Sequence, residues 1–369
     1  MRVGILTLQY GANYGGTLQC YALYKTLTEL GHKVEVINFK PTIIAPTYLR
    51  FIYNISMSRN WHDFVKTFSR ITNNSLTKES NEHLVPIFDS FRNNHINLTE
   101  SVNEYTISEL NERFDAIVVG SDQVWSSMVR SHLTYFGEWV PEFTGKFISY
   151  AACAYTDKYP IVRRNKLRKL LNRFSAISVR DDLTKSLVNK FYNKNISLVA
   201  DPTLLCNFEE FATDAIFKEP YIATYILGGD IPGGNEGAID VIKQKTGIKK
   251  VVAITPYNKD IEYADDTYKN STPQEWVNLI ANSAFVYTDS FHGIIFSLKF
   301  KRNFIAYYKD VLRASRLIDL QHKYSLKNIV SNIDSIKDLS IDNTAIAECV
   351  SDEIHKLSIK SKLFLTDSL

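Results

Sequence analysis

Residues 3–38 have the sequence "VGILTLQYGANYGGTLQCYALYKTLTELGHKVEVIN". The apolar run Val3–Leu8 predicts a strand. The glycine-rich turn after it leads into a helix predicted over Thr17–Leu30, where apolar residues recur at helical spacing. Gly31 stands where a helix end favours a left-handed residue, and Val34–Asn38 is predicted as the next strand. Two strands joined by one helix indicate a right-handed crossover and therefore a parallel sheet.

The same alternation of strands and helices continues along the chain. Further strands are predicted at Ala116–Val119, Lys146–Ala154, Tyr221–Leu227, Val251–Tyr257 and Asn303–Tyr307. A helix is predicted to begin at Thr272, because Pro273 suits a first helical position and Glu275 can close a capping box. We therefore predict an α/β fold with two doubly wound Rossmann-like domains facing each other across a cleft.

The chain of 369 residues is longer than one hydrophobic core usually supports, which predicts two domains. Residues 1–206 are predicted to form the N-terminal Rossmann-like domain, with a helical insertion at about 41–110. Residues 207–342 are predicted to form the C-terminal Rossmann-like domain, and residues 343–369 a C-terminal helical tail.

Composition and charge exclude several classes of protein. The net charge of +3, without a basic tract interleaved with aromatic residues, argues against a nucleic-acid partner. The four cysteines are scattered and form no CxxC pair, which favours reduced thiols over a disulfide framework or a zinc site. No apolar run approaches the ~18 residues needed to span a bilayer. We expect a cytoplasmic protein with no metal, and peripheral contact with the inner face of a membrane stays open.

Small and polar residues follow four of the predicted strands, at residues 11–16, 120–122, 180–182 and 288–293. If both sheets are parallel, these loops meet at one crevice, because ligands of such sheets collect beyond the carboxyl ends of the strands. The region after residue 293 is basic. The crevice is therefore the expected functional site.

Three of these loops carry side chains that suggest chemistry. Arg180 can hold a carboxylate or phosphate in bidentate fashion, or it can form a salt bridge to Asp181 or Asp182. His292 has the side chain best suited to proton transfer near neutral pH, and the other interpretation is a structural histidine. Asp122 and Trp125 could hold a sugar, or serve as an N-cap and a packed core residue. Both interpretations stay open for each residue.

The glycine-rich turn differs from a dinucleotide-binding fingerprint. Asn13 stands at the middle glycine position of Gly-x-Gly-x-x-Gly, so a pyrophosphate cannot approach the backbone in the usual way. This argues against a dehydrogenase. The turn still presents N–H groups and the positive end of a helix dipole to an anion, and the alternative is a tight turn with no ligand.

Seven short motifs, taken in their order, resemble the polysaccharide pyruvyltransferase family. The motifs are "NYGGTLQCYAL", "VVGSDQVW", "SYAACA", "SVRDD", "ADPTLL", "TPQEWVNLIANS" and "TDSFHGIIFSLKF". The resemblance runs from Gly4 to about Tyr307. It implies a fold like that of the two-domain GT-B glycosyltransferases, with the acceptor on the N-terminal domain and the donor on the C-terminal domain.

The resemblance also implies an activity. Pyruvate would move from phosphoenolpyruvate onto two hydroxyls of a sugar, free or lipid-linked, and form a cyclic ketal in a capsule or exopolysaccharide precursor, with no further cofactor. His292 would be the general acid or base, and Asp122 would bind or activate the acceptor hydroxyl. The implied donor-binding residues are Arg180, Ser290, Gly293, Lys299, Arg302 and Arg316, and the implied cleft residues are Asn13, Tyr14, Gly15, Gly16, Ser121 and Trp125.

One position departs from the family pattern. Many relatives carry an arginine two residues before the histidine, whereas this chain has Ser290. Another cation would then have to contact the donor. The candidates are Lys299, Arg302, Arg313 and Arg316.

Two other classes of protein are alternatives. A GT-B glycosyltransferase that uses a nucleotide sugar commonly places a glutamate soon after a glycine-rich loop of its C-terminal domain. Here the next glutamate after Gly293 is Glu348, which is far too late. A carbohydrate-binding protein without catalysis does not need both Arg180 and His292. The residues therefore favour pyruvyl transfer.

Overall fold

The computed structural model describes residues 1–42, 81–129, 133–139, 143–154, 159, 163–309, 314–341 and 344–369. Its strands are β1 (Arg2–Leu6), β2 (Lys33–Val36), β3 (Ala116–Val119), β4 (Lys146–Ala152), β5 (Ala176–Val179), β6 (Ile196–Leu198), β7 (Tyr221–Tyr225), β8 (Lys250–Ile254), β9 (Asp266–Tyr268), β10 (Phe285–Thr288), β11 (Asn303–Tyr307) and β12 (Ile329–Val330). Its α-helices are α1 (Tyr14–Glu29), α2 (Val85–His95), α3 (Arg164–Leu171), α4 (Asp182–Val188), α5 (Asn235–Thr246), α6 (Pro273–Ala281), α7 (Phe291–Lys299), α8 (Ser315–Lys323), α9 (Ile333–Asp338) and α10 (Thr344–Ser368).

The strands form two parallel six-stranded sheets. The first has the order β2-β1-β3-β4-β5-β6 and the second the order β12-β11-β10-β7-β8-β9. Strands β3 and β10 are buried along their whole length, as expected for parallel strands covered by helices on both faces. The predicted α/β class with two doubly wound domains is confirmed, and the domain boundaries at residues 206 and 342 stay predictions.

The strand order reverses at one place in each sheet, and these places create the crevice. The reversal lies between β1 and β3 in the first sheet and between β7 and β10 in the second. Doubly wound sheets bind ligands outside such reversals. The loops after β1, β3 and β10 carry residues 11–16, 120–122 and 289–292, so three of the four predicted loops open at a reversal.

The two domains pack directly against each other beside the crevice. The buried Tyr14, at the start of α1, stacks on Trp276 of α6 with ring centroids 5.6 Å apart. Its hydroxyl donates a hydrogen bond of 2.8 Å to the carbonyl of Ser271. Helix α6 itself begins as predicted, because Thr272 and Glu275 form both hydrogen bonds of a capping box. This contact holds the first turn of α1 against the C-terminal domain.

The described part of the predicted insertion braces the glycine-rich turn. Arg92 of α2 is buried, and its Nη1 donates to the carbonyls of Gln9 and Gly11 at 2.9 and 3.0 Å. After α2 the chain adds isolated parallel bridges to the edge of the first sheet. Residues 43–80, which the insertion was also predicted to contain, lie outside the described residues.

Helix α10 returns from the second domain to the first. The Ser361 hydroxyl accepts a hydrogen bond of 2.8 Å from the backbone N–H of Ala200, and Ser358 donates one of 3.1 Å to the carbonyl of Leu204. The same helix contacts α7 of the second domain. Among the described helices, none is both long enough and apolar enough to cross a membrane.

Candidate active site

A buried ion pair lies at the centre of the crevice. Arg180 follows β5 directly, and its Nη1 donates a hydrogen bond of 2.6 Å to Oδ2 of Asp201. The two side chains are 4% and 1% exposed, so the pair is almost fully removed from water. Asp201 also accepts from the backbone N–H and the hydroxyl of Thr203. The guanidinium is thus held in one place by a carboxylate that is itself fixed.

Asp122 adds a second carboxylate on the first domain. Its Oδ1 lies 3.7 Å from Nη2 of Arg180 and 3.9 Å from Nη1 of Arg316, which is carried by α8 of the second domain. The residue has a φ of 68°, in the left-handed region that aspartate tolerates better than most side chains. Its carbonyl accepts from the N–H groups of Val124 and Cys153, which fix this conformation. Asp122 therefore links cations from both domains.

His292 enters the same cluster from the second domain. It lies in the first turn of α7, and its Nε2 is 3.8 Å from Oδ2 of Asp201. The neighbouring Phe291 places its ring 4.3 Å from the guanidinium carbon of Arg180 and 5.7 Å from that of Arg316. Cations over an aromatic face at such distances are attracted by the ring quadrupole. The first turn of α7 thus supplies both an imidazole and a platform for two arginines.

Gly15 explains how the domains approach so closely here. A Cβ at this position would overlap the imidazole of His292, with Nδ1 as its nearest atom. Gly15 lies in α1 of the first domain and His292 in α7 of the second. The glycine is therefore required for the imidazole to lie against the helix backbone.

Burial and charge set the ionisation of the cluster. Burial lowers the pKa of His292 below its ordinary value, although the carboxylates of Asp201 and Asp122 act in the opposite direction. Burial also opposes the ionisation of Asp201, but Arg180 and His292 outweigh it and hold the pKa of that carboxyl below its ordinary value. At neutral pH the imidazole is therefore neutral, and its 3.8 Å contact with Asp201 is not an ion pair.

Several polar atoms of the cluster make no hydrogen bond within the described residues. Within the described ranges, Nε and Nη2 of Arg180 and Nε2 of His292 are buried without a hydrogen bond. Buried polar atoms in proteins are nearly always bonded, so these atoms are available to a water or a ligand in the crevice. The pocket lined by Arg180, Phe291 and Arg316 has a volume of only about 10 Å³, the space of about one water. A ligand larger than a water can enter this pocket only if the groups that line it move.

The remaining predicted residues near the crevice are used locally. Asn13 is the N-cap of α1 and accepts from the N–H of Gly16 at 2.9 Å, and Tyr14 lies in the domain contact described above. The hydroxyl of Ser121 is 3.5 Å from Oδ2 of Asp201. Ser290 is the N-cap of α7, and its hydroxyl accepts from the N–H of Gly293 at 3.3 Å.

Three predicted residues lie away from the cluster. Trp125 is fully buried, its Nε1 donates to the carbonyl of Tyr135, and its ring stacks on Phe136, so it is a packed core residue. Lys299 lies at the far end of α7, and Arg302 donates to the carbonyl of Ser283 beyond that end. The structure therefore brings only Arg316 of the candidate cations to the cluster, and Arg313 lies outside the described residues.

Two members of the cluster were not predicted from the sequence. Asp201 follows a strand within "ADPTLL", the same context that singled out Asp122 and Arg180, so its position alone could have suggested it. Phe291 gave no signal, because an aromatic residue at the start of an apolar helix is normally a core residue.

Solved structures that resemble this chain show the type of its fold. A UDP-GlcNAc 2-epimerase from Neisseria meningitidis bound to UDP-GlcNAc is 11% identical, with a TM-score of 0.52, and the match covers 100% of this chain and 99% of that chain. Arabidopsis thaliana UGT89C1 complexed with UDP-L-rhamnose is 9% identical over 100% and 99% of the chains, with a TM-score of 0.54. Anabaena Alr3699/HepE in complex with UDP and glucose is 9% identical over 100% and 99%, with a TM-score of 0.56. The chain therefore has the GT-B type of fold.

The family follows from the sequence match. The family model for polysaccharide pyruvyl transferase matches residues 13–310, and this chain belongs to that family. No curated protein matches the chain significantly. The predicted family and fold class are both confirmed.

Proposed function

We propose that this enzyme transfers pyruvate from phosphoenolpyruvate onto two hydroxyls of one sugar and forms a cyclic ketal. The observation that carries the proposal is that Arg180 from one domain and His292 from the other are both buried against Asp201. Family membership supports pyruvyl transfer to a polysaccharide, and the cluster offers what a phosphorylated enol requires.

The reaction needs one proton delivered to carbon. Protonation of the methylene carbon makes C2 of phosphoenolpyruvate electrophilic, and the first sugar hydroxyl attacks C2 and loses its proton. The second hydroxyl then bonds to C2 as the carbon–oxygen bond to phosphate breaks. One hydroxyl proton replaces the proton given to the methyl group, and the other leaves with hydrogen phosphate. Charge and atoms therefore balance without an oxidant or a second cofactor.

His292 is the proposed acid. Its pKa is lowered by burial, so the imidazole of the empty enzyme is neutral at pH 7. An anion bound beside it favours the charged form, which is how nearby charges raise a histidine pKa. Donor binding would thus load the imidazole with the proton that the methylene carbon takes up. In this proposal Asp201 is a positioning residue, because it holds Arg180 and lies against the imidazole.

Arg180 and Arg316 are the proposed cations for the donor's carboxylate and phosphate. Arg180 uses Nη1 for Asp201, which leaves Nε and Nη2 for the ligand. Arg316 is 28% exposed at the cluster and takes the place of the arginine that many relatives carry where this chain has the N-cap Ser290. The first turn of α7 adds the positive end of its helix dipole, while the N–H of Gly293 is bonded to the hydroxyl of Ser290.

The acceptor is proposed to lie on the side of the first domain. Asp122 is the proposed group that binds or deprotonates the attacking hydroxyl, since its carboxylate faces both arginines. We propose a sugar of a lipid-linked capsule or exopolysaccharide precursor, modified in the cytoplasm at the inner face of the membrane, without nucleic acid or a further cofactor. The three described cysteines are free thiols, which supports a reducing compartment.

A nucleotide-sugar glycosyltransferase is the second candidate. Solved structures of the same fold contain UDP or a UDP-sugar, which favours it. Against it, no glutamate follows α7 before Glu348. Calorimetry with phosphoenolpyruvate and with UDP-sugars separates the two candidates directly. Binding of a UDP-sugar without binding of phosphoenolpyruvate would overturn pyruvyl transfer.

The decisive experiment measures phosphate release from phosphoenolpyruvate with a panel of model galactosides and mannosides. Release should depend on the acceptor and should come with the mass gain of a ketal. His292→Gln should lower kcat by roughly 10²- to 10⁴-fold, the usual contribution of a general acid. His322→Gln, at an exposed histidine of α8, is the matched control and should keep the wild-type rate. Equal rates in the two variants would contradict the role of His292.

A further inference from the structure

A second cavity lies at the opposite end of α7 from His292. It has a volume of about 330 Å³ and lies between the C-terminal end of α7, the segment Leu204–Leu205 and helix α10. Lys299, which the sequence had suggested for the donor, opens into this cavity instead. Helix α7 rises 1.5 Å per residue, so Lys299 is roughly 10 Å along the axis from His292.

The polar lining of the cavity is basic. Lys299, His355 and Lys362 contribute to it, and its described lining contains no carboxylate. Burial lowers the pKa of Lys299 to about 8, and Lys362 lowers it further, against the Cys206 thiol and Glu209. Its ammonium lies 5.7 Å from the ring of Phe208 and, within the described part of the chain, has no ion-pair partner. A desolvated cation of this kind is stabilised by an incoming anion.

The rest of the cavity and its rim are apolar. Leu205, Leu298 and Ile354 line the interior, and Ile359 continues the surface outward. Ile359 is 49% exposed, and Leu363, one helical turn further along α10, is 55% exposed. Exposed apolar residues beside a basic pocket are typical of a surface that meets the headgroup region of a bilayer.

The outer face of α10 carries charges of both signs, so the attraction to an anion would come from the cavity. Lys356 and Asp352 share the face of Ile359 and Leu363, at intervals of three and four residues, and both are exposed. Their charges cancel, so this face alone has little preference for an anion. The uncompensated positive charge lies in the cavity, at Lys299 and Lys362.

We propose that this cavity binds the phosphate headgroup of an anionic membrane lipid, with Ile359 and Leu363 inserted among the lipids. The inference does not depend on pyruvyl transfer, because it rests on α7, α10 and the segment between β6 and β7. If both proposals hold, the bilayer surface lies roughly 10 Å from the catalytic histidine, measured along α7.

Sedimentation of the full chain with vesicles tests the proposal. Vesicles of phosphatidylcholine mixed in equal parts with phosphatidylglycerol should bind the protein, and phosphatidylcholine alone should not. Lys299→Gln and Lys362→Gln should each weaken binding about fivefold, the usual effect of one lysine near an anionic surface. Ile359→Ser combined with Leu363→Ser should abolish binding, whereas inorganic phosphate should not displace the wild-type protein from vesicles.

Lys360→Gln is the matched control, because it removes the same charge from the same helix outside the cavity. It should change binding by less than Lys362→Gln does. Equal losses in these two variants, or equal binding to both vesicle types, would overturn the headgroup site. Thermal unfolding of each variant shows whether the fold is intact, and Lys362→Gln, at the surface of α10, keeps the test valid if Lys299→Gln unfolds. Phosphate release with a soluble acceptor reports separately on the proposed reaction.

Discussion

Basic side chains lie at both ends of helix α7, but in the described structure only those at its N-terminal end have ion-pair partners. At its N-terminal end the guanidinium of Arg180 is buried against Asp201 and lies near Asp122, and His292 closes the cluster. At its C-terminal end Lys299 is half-buried with no ion-pair partner in the described structure, and burial lowers its pKa to about 8. Burial is common to both ends, so the carboxylates account for the difference. Burial lowers the pKa of a cation, and a fixed anion beside it opposes that change.

The largest expected effect comes from removing the carboxylate that pairs with Arg180 at the N-terminal end of α7. Asp201→Asn leaves Arg180 buried without its 2.6 Å partner, and we expect a loss of about 3–5 kcal/mol in the free energy of unfolding. Urea denaturation measures it. Asp334→Asn removes a partner from the exposed pair with Lys337 and should leave the stability almost unchanged. A loss no larger than that of this control would show that the buried pair is not what stabilises the site.

The next substitution, at Lys299 on the C-terminal end of α7, is expected to stabilise the protein. The pKa of Lys299 is near 8 in the folded protein, below the ~10.4 of an unfolded lysine. The unfolded chain therefore binds more protons between these values, and the wild-type protein gains stability as the pH rises through that window. Lys299→Met should stabilise the protein at neutral pH by up to about 3 kcal/mol, and the advantage should shrink towards pH ~10.

Lys25→Met is the control for this prediction. Burial acts against the charge of Lys25, but its hydrogen bond of 2.7 Å to Glu210 holds the pKa of this lysine above its ordinary value. Removing this lysine should not stabilise the protein, because Glu210 loses its cation. If both substitutions stabilised it equally, burial alone would account for the unfavourable charge, and the contrast between the two ends of α7 would not hold.

A third effect concerns packing at the paired end. Gly15→Ala places a methyl group where the imidazole of His292 lies, and overpacking of this kind costs about 1–3 kcal/mol. The domains or the imidazole of His292 must shift. The rate of phosphate release should therefore fall by more than the loss of folded protein accounts for. Gly16→Ala is the neighbouring control, since its nearest atom would be the carbonyl of Leu8 at 3.3 Å. Similar rates in the two variants would contradict a functional contact between Gly15 and His292.

The smallest expected effect sharpens the assignment of the donor cation. Arg316→Gln should raise KM for phosphoenolpyruvate about tenfold, corresponding to ~1.4 kcal/mol for a partly exposed contact. Arg302→Gln should leave KM unchanged, because that side chain donates to the carbonyl of Ser283 beyond the far end of α7. Steady-state kinetics distinguishes the two. An unchanged KM in Arg316→Gln would remove Arg316 from the donor site.

Local patterns predicted the elements well because the physical cause of each element is local. The capping box at Thr272 and the apolar strand before Arg180 depend only on neighbouring residues, and both are present. The convergence of Asp122, Arg180 and His292 followed from parallel sheets, which bring strand ends to one edge. Their roles in catalysis stay predictions.

The residues that lie elsewhere than expected are those whose position depends on the length of a helix or on a contact between the domains. Lys299 and Arg302 follow His292 closely in sequence, but α7 runs away from the crevice and carries them to its other end. Tyr14 was expected to face the cleft, and it packs on Trp276 because the partner comes from the other domain. No local pattern reports such a partner. The position of Asp201 after a strand could have suggested it, but its partners Arg180 and His292 come from other elements and leave no local pattern.

The brace formed by Arg92 limits how this enzyme can be shortened or recombined. Its guanidinium donates hydrogen bonds to the carbonyls of Gln9 and Gly11. The conformation of the glycine-rich turn is thus held by a residue outside the sheet. A minimal version that deletes the whole segment between β2 and β3 would lose this brace together with the segment. A chimera that exchanges the segment with a relative must therefore carry α2 and its arginine as one unit with the turn. The turn and α2 therefore form one structural unit, although they are far apart in the sequence.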